Sequence, residues 1–269
     1  MKQRLDEVRD RHRDDALGRG FNPRDVDLLL SDILGRKLSW IVAHGDELID
    51  SAPLDVLLAR RYGGEPLQYI RGRTEFYSRE FLVDSRALIP RPETEILVET
   101  ALQFAPRNGL VIDIGTGSGC IAITIERERP DLRVIGVDVS MAALALAATN
   151  RASLASHALL AASDILTSIR AHADLIVSNP PYIPAREVES LEVEVREHEP
   201  RIALTPGSRG TEAIEQILEQ ARGARVIVEM GFGQEQAVRD VAAAQRYVVD
   251  EIIPDLAGIP RVVILSPHA

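Results

Sequence analysis

Two stretches of this 269-residue sequence combine residue types that could do chemistry. In the first, Asp113-Ile114-Gly115-Thr116-Gly117-Ser118-Gly119 follows an apolar run and opens into the helical pattern "CIAITIERE". Glycines at such a turn let the backbone approach a ligand, and a helix N-terminus offers unpaired N–H groups and positive potential. In the second, Ser178-Asn179-Pro180-Pro181-Tyr182 follows the apolar run "ADLIV". A plain turn accounts for one Asn-Pro pair, because Asn opens turns and Pro fixes φ while removing a donor. An amide, two prolines and a phenol in succession make instead a stiff loop with outward-pointing carbonyls.

The residues around the glycines narrow the ligand. Asp138 ends the next apolar run, "RVIGVD", where a carboxylate can accept both hydroxyls of a ribose. That alone leaves the nucleoside open, since Gly117 to Ala122 also fits the dinucleotide pattern GxGxxA, and an NAD-linked oxidoreductase competes. Two features favour S-adenosylmethionine. Asp113, ahead of the glycines, can bias the loop and the ligand's ammonium, and Asp164 in "SDIL" can accept from an adenine amino group while Ile165 packs on the ring. Each aspartate could instead cap its own loop.

These groups need a scaffold to bring them together. From residue 109 onward short apolar runs alternate with helical stretches: "LVIDIG", "RVIGVD", "ALLAA", "DLIVSN", "ARVIVEMG", "YVVDEII" and "RVVILS". Continuous apolar runs separated by helices imply a parallel sheet covered on both faces. The short link "PDLAGIP" favours a hairpin between the last two runs. The fold class expected is α/β, a doubly wound seven-stranded sheet with an antiparallel final pair. The glycine loop and the Asn179 loop would then share the crevice at the C-terminal ends of the strands. Ahead of the sheet the pattern is helical. "VDLLLSDILG" places Val26, Leu29, Leu30 and Ile33 on one face before Gly35, a second helix is expected in "SWIVAHGDELI", and "SAPLDVLLARRYGG" opens on Pro53 and closes on Gly63 and Gly64. Residues 1–72 read as a helical domain, 73–90 as a hairpin or connector and 91–269 as the sheet domain.

Composition limits the partners. The formal net charge of −10 disfavours binding dominated by a phosphate backbone, and direct DNA contact is not expected. No apolar run approaches the roughly 20 residues a membrane span needs, and the charged N-terminus lacks a signal core, so a cytoplasmic location is expected. The lone Cys120 reads as a small buried filler, and the six histidines show no ligand spacing, so no metal is expected.

Beyond the two loops, "GEPLQYIRGRTEF", "LIPRPETEILVE", "DIGTGSGCIAI", "IVSNPPYI" and "EPRIAL" together resemble the bacterial release-factor glutamine N5-methyltransferase family. The similarity runs from about Gly64 to the C-terminus. It implies a Rossmann-like class I methyltransferase sheet with a small N-terminal substrate-docking domain. It also implies transfer of a methyl group from S-adenosylmethionine, leaving S-adenosylhomocysteine, to the glutamine of the Gly-Gly-Gln loop in class I peptide chain release factors. On this resemblance Asp113, Gly115, Thr116, Gly117, Ser118, Gly119, Asp138, Asp164, Ile165 and Asn179 hold cofactor. Asn179, Pro180, Pro181 and Tyr182 hold the glutamine, with Asn179, Pro180 and Tyr182 acting in catalysis. A nucleic-acid adenine N6-methyltransferase is the alternative, and a monomer is one open form. The chain departs from the family after "EPRIAL", reading Gly207-Ser208-Arg209-Gly210 where a Gly-x-Asp-Gly turn is usual. The chemistry fits an amide nitrogen, a poor nucleophile whose lone pair is delocalised. Acceptors gripping both N–H bonds, Asn179 Oδ1 and the Pro180 carbonyl, would free that lone pair, and Tyr182 would pack on the flat amide.

Overall fold

The computed structural model describes residues 2–268, which divide into two compact units. The smaller holds the residues up to Gly72 together with Val193–His198, and the larger holds Arg73–Glu192 and the residues from Glu199 onward.

In the smaller unit β1 (Lys2–Arg4), α1 (Leu5–Gly18), α2 (Arg24–Leu34), α3 (Leu38–Ala43), β2 (Leu48–Asp50), α4 (Ala52–Tyr62) and α5 (Leu67–Arg71) follow in order. The apolar face of α2 does what its spacing dictates: Val26, Leu29 and Leu30 bury against Leu5, Val8, Leu54 and Leu58. Gly35 then stops α2 in the left-handed region at φ 60°. The helix expected through "SWIVAHGDELI" ends early, at Ala43, and Leu48–Asp50 pairs antiparallel with β1. Gly45 accounts for the break, because its backbone approaches Asp6 so closely that a Cβ there would lie 2.8 Å from the Asp6 Cβ. The buried guanidinium of Arg61 on α4 donates to Asp25 of α2 at 2.8 Å and to Glu194 in the distant segment Val193–His198 at 2.6 Å. Removing one partner from such a buried pair typically costs about 3–5 kcal/mol.

The larger unit starts with a hairpin, β3 (Arg73–Phe76) and β4 (Arg79–Leu82). Its two turn residues, Tyr77 and Ser78, both adopt positive φ, 51° and 57°, the mirror-image turn that matches strand twist. Phe76 and Phe81 anchor it in the core, each such burial contributing roughly 1.5–3 kcal/mol. There follow α6 (Thr94–Phe104), β5 (Leu110–Ile114), α7 (Cys120–Glu128), β6 (Arg133–Asp138), α8 (Met141–Ser153), β7 (Leu159–Ala162) and β8 (Leu175–Ser178). After α9 (Val193–His198) come α10 (Glu212–Gln220), β9 (Arg225–Glu229), α11 (Glu235–Ala244), β10 (Tyr247–Pro254) and β11 (Pro260–Pro267).

The seven strands β5 to β11 form one sheet in the order β10-β11-β9-β8-β5-β6-β7. All neighbours pair parallel except those of β11, which runs antiparallel to both β9 and β10. The period of two puts Val111, Leu175, Val177, Ile227 and Ile264 on the face covered by α6 and α7. Ile112, Ile176, Val226, Val228 and Leu265 bury under α10 and α11 on the other face. Chain direction across the sheet reverses between β5 and β8, whose last pair is Ile114 with Ser178. The two loops singled out in the sequence therefore leave the sheet side by side at its topological switch point. Among the described residues, no helix is long and apolar enough to cross a membrane.

Candidate active site

A cavity of about 340 Å³ opens at that switch point. Gly115, Thr116, Gly117 and Ser118 line it from the β5 loop, Asp138 from the end of β6, Asp164 and Ile165 from the loop after β7, and Asn179, Pro180 and Pro181 from the loop after β8. Three of the residues expected at the site do not line the cavity. Asp113 is fully buried behind the loop, where its Oδ2 accepts from the Thr116 hydroxyl at 2.6 Å and the Ala122 amide at 3.2 Å. Gly119 faces the other way: a Cβ there would lie 2.8 Å from Ile123 Cδ1 and 3.2 Å from Ala147 Cβ, so this glycine lets α7 pack on α8. Tyr182 stands behind Pro181, half-buried, with its hydroxyl toward Glu229.

The glycine loop satisfies most of its own amides. Gly115 and Thr116 both donate to the Val137 carbonyl at 2.9 Å, Gly117 donates to Asp138 Oδ2 at 2.9 Å, and Gly119 donates to the Thr116 carbonyl at 2.8 Å. A pyrophosphate needs such amides free, so this loop suits a dinucleotide poorly. It suits a cationic nucleoside well. Asp138 spends one lone pair of each oxygen on the protein, Oδ2 on Gly117 and Oδ1 on the Ser140 amide at 2.8 Å, and keeps the others for hydroxyl donors. Gly115 at φ 71° leaves open space where a side chain would stand. Ile165 is a β-branched residue held at φ 53°, a conformation that costs energy and marks a built loop. Cys120 also lines the cavity, but burial pushes its thiol up to about 12, so it remains a neutral packing group.

Two side chains that the sequence did not mark complete the site. Asn179 Nδ2 donates to Thr94 Oγ1 at 3.0 Å, and Thr94 Oγ1 donates to Glu229 Oε2 at 2.8 Å. The Tyr182 hydroxyl lies 3.4 Å from Glu229 Oε1. Burial raises the Glu229 carboxyl above its ordinary range, opposed by the Thr94 hydroxyl, the charge of Arg261 and the Tyr182 hydroxyl. Burial and the neighbouring Glu229 push the Tyr182 phenol up to about 12, so it stays a neutral donor. A carboxylate closing an apolar parallel strand beside the Asn-Pro loop was the available signal for Glu229. Thr94 gave none, because a threonine at a helix start reads as a cap.

Downstream contacts hold the Asn179 loop. Ile183 donates to the Leu204 carbonyl at 3.0 Å, Ala185 to the Gly207 carbonyl at 2.8 Å, and Gln234 Nε2 to the Tyr182 carbonyl at 2.7 Å. Gly210 packs against that carbonyl so tightly that a Cβ would lie 2.5 Å from it. In the departing stretch, Arg209 is exposed and turned to Glu212 and Glu215 on α10, outside the cavity lining.

Residues 92–204 match the methyltransferase small domain and residues 13–72 match the PrmC N-terminal domain. The release factor glutamine methyltransferase of Koribacter versatilis is 41% identical over 224 residues, covering 80% of this chain and 79% of the relative. That of Neisseria gonorrhoeae is 42% identical over 236 residues, covering 84% and 86%. The chain belongs to the release factor glutamine methyltransferase family. A methyltransferase from Pyrococcus furiosus, 16% identical, superposes with a TM-score of 0.55 over 82% of this chain and 100% of that one, which shows the shared fold.

Proposed function

We propose that this chain transfers the methyl group of S-adenosylmethionine to the side-chain amide nitrogen of the glutamine in the Gly-Gly-Gln loop of class I release factors. The observation that carries the reading is the convergence of a nucleoside-sized cavity, lined by Asp138 and Asp164, with the Asn179 loop at one switch point, in a chain of this family. When bound, S-adenosylmethionine supplies a sulfonium-activated methyl group.

The chain's own residues do the rest. Asp138 accepts hydrogen bonds from ribose hydroxyls. Asp164 accepts from an adenine amino group, and a lining with Asp138 and Asp164 beside Arg86 and Arg91 suits a ligand bearing cationic groups together with a carboxylate. Asn179 Oδ1 and the Pro180 carbonyl accept the two N–H bonds of the glutamine amide, which turns its lone pair out of conjugation and toward the cavity. Proline rigidity keeps those acceptors in place without reorganisation. Tyr182, behind Pro181 with its hydroxyl toward Glu229, braces the loop that presents these acceptors. No strong base is required, because a nitrogen-protonated amide sheds its proton readily.

The helical unit docks the release factor, and the work is cytoplasmic, where translation termination takes place. The net charge of −10 weighs against a nucleic-acid substrate. Intact-mass and fragment-ion analysis of a release factor incubated with the protein and S-adenosylmethionine tests the reading. One added methyl on the Gly-Gly-Gln glutamine is expected, and an unmodified glutamine, or methyl groups only on added DNA or RNA, would overturn it.

A further inference from the structure

A carboxamide has two ends of nearly equal size, one that accepts and one that donates. Asn179 serves as an acceptor only if something holds its side chain the right way round. The register of the sheet supplies the holder. Ser178 pairs with Val228, so Glu229, one position further along β9, lies beside Asn179. The Thr94 hydroxyl carries a single proton, and it is given to Glu229 Oε2 at 2.8 Å. Thr94 therefore turns a lone pair toward Asn179. Only the NH2 end of the amide can meet it, and Nδ2 does so at 3.0 Å. Oδ1 is left on the opposite side.

We propose that Thr94, oriented by Glu229, is a positioning residue that fixes which end of the Asn179 amide is offered to the substrate nitrogen. This rests on the proposed function, since a substrate bearing two N–H donors is what makes the orientation matter. With the amide reversed, Nδ2 would confront those donors and repel them. The same carboxylate also receives the Tyr182 hydroxyl, so one buried group braces both sides of the Asn-Pro-Pro-Tyr loop.

A purely structural role for Thr94, joining the start of α6 to the end of β9, predicts effects on melting and cofactor affinity. The positioning role predicts a selective loss of turnover. Thr94→Val keeps the shape and removes both hydrogen bonds, and it should lower kcat on the order of 10-fold to 10²-fold while the dissociation constant of S-adenosylhomocysteine stays at the parental value. Thr94→Ser, which restores the hydroxyl, should recover most of that loss. In the Asn179→Ala background, Thr94→Val should cost nothing further, because its effect runs through Asn179. Parental turnover in a folded Thr94→Val protein, or an equal fractional loss in both backgrounds, would overturn the proposal.

A readout in the free protein separates this from the proposed function. With nitrogen-15 asparagine labelling, the Asn179 side-chain NH2, assigned by its disappearance in Asn179→Ala, should exchange slowly in the parent and quickly in Thr94→Val. If that difference is seen and no release factor is methylated, the orientation stands and the substrate reading fails. Equal exchange in parent and variant sinks the orientation itself.

Discussion

At the scale of single residues the site turns on Asn179, which reaches the cavity wall while its nitrogen is tied to Thr94. Asn179→Ala should lower kcat by about 10²–10³, the usual cost of removing one preorganised polar contact, and weaken cofactor binding far less. Asn179→Asp keeps an oxygen toward the cavity but sets a second one against the Thr94 lone pair, near Glu229. It should retain part of the activity and lose some stability. Single-turnover methylation, calorimetry and melting of the two variants check all three statements, and parental turnover in Asn179→Ala would reduce the tetrapeptide to a turn.

At the scale of elements, Asp113 ties strand, loop and helix together. It ends the buried run of β5, accepts from Thr116 in the loop and from Ala122 in α7, and leaves Oδ1 without a partner. Burial raises its carboxyl from the ordinary 3.8 to about 7, against the pull of those two hydrogen bonds. A folded-state value above the unfolded one means the folded chain holds a proton that the unfolded chain has lost. Its contribution to stability is therefore fully present below 3.8 and is lost as the pH rises through about 7. Denaturant unfolding of the ligand-free protein at a series of pH values should show that loss, and Asp113→Asn should flatten it. A slope unchanged by the substitution would mean that other groups carry it. The strands were legible in the sequence because β5, β8 and β9 are nearly all apolar and each ends in a change of residue type. The helix α1 was not, since only Leu5, Val8 and Ala16 of its 14 residues are buried among alternating charges. The ribbon of β1 and β2, three residues a strand, is too short to show a period. Within the site, glycines, prolines and aspartates announced themselves by type. Thr94 and Glu229 did not, because their roles come from sheet register and from contacts across 85 and 135 positions of sequence.

At the scale of the molecule, each unit has its own hydrophobic core: Leu29 and Leu54 belong to one, and Phe81 and Ile112 belong to the others, which lie on the two faces of the sheet. Deleting residues 1–72 should accordingly spare S-adenosylmethionine binding and impair methylation of a whole release factor, provided the truncated chain still melts cooperatively. Equal rates on whole release factor for truncated and full-length protein would make the helical unit a structural appendage. Arg61 gives that unit an unusual dependence. Its second carboxylate, Glu194, lies on a short helix separated from the rest of the unit by the stretch Arg73–Glu192. During synthesis the first helices leave the ribosome with their charged centre half-answered, Asp25 in place and Glu194 not yet translated. The helical unit, made before the sheet, thus lacks its second carboxylate until the segment that follows the Asn179 loop has been translated.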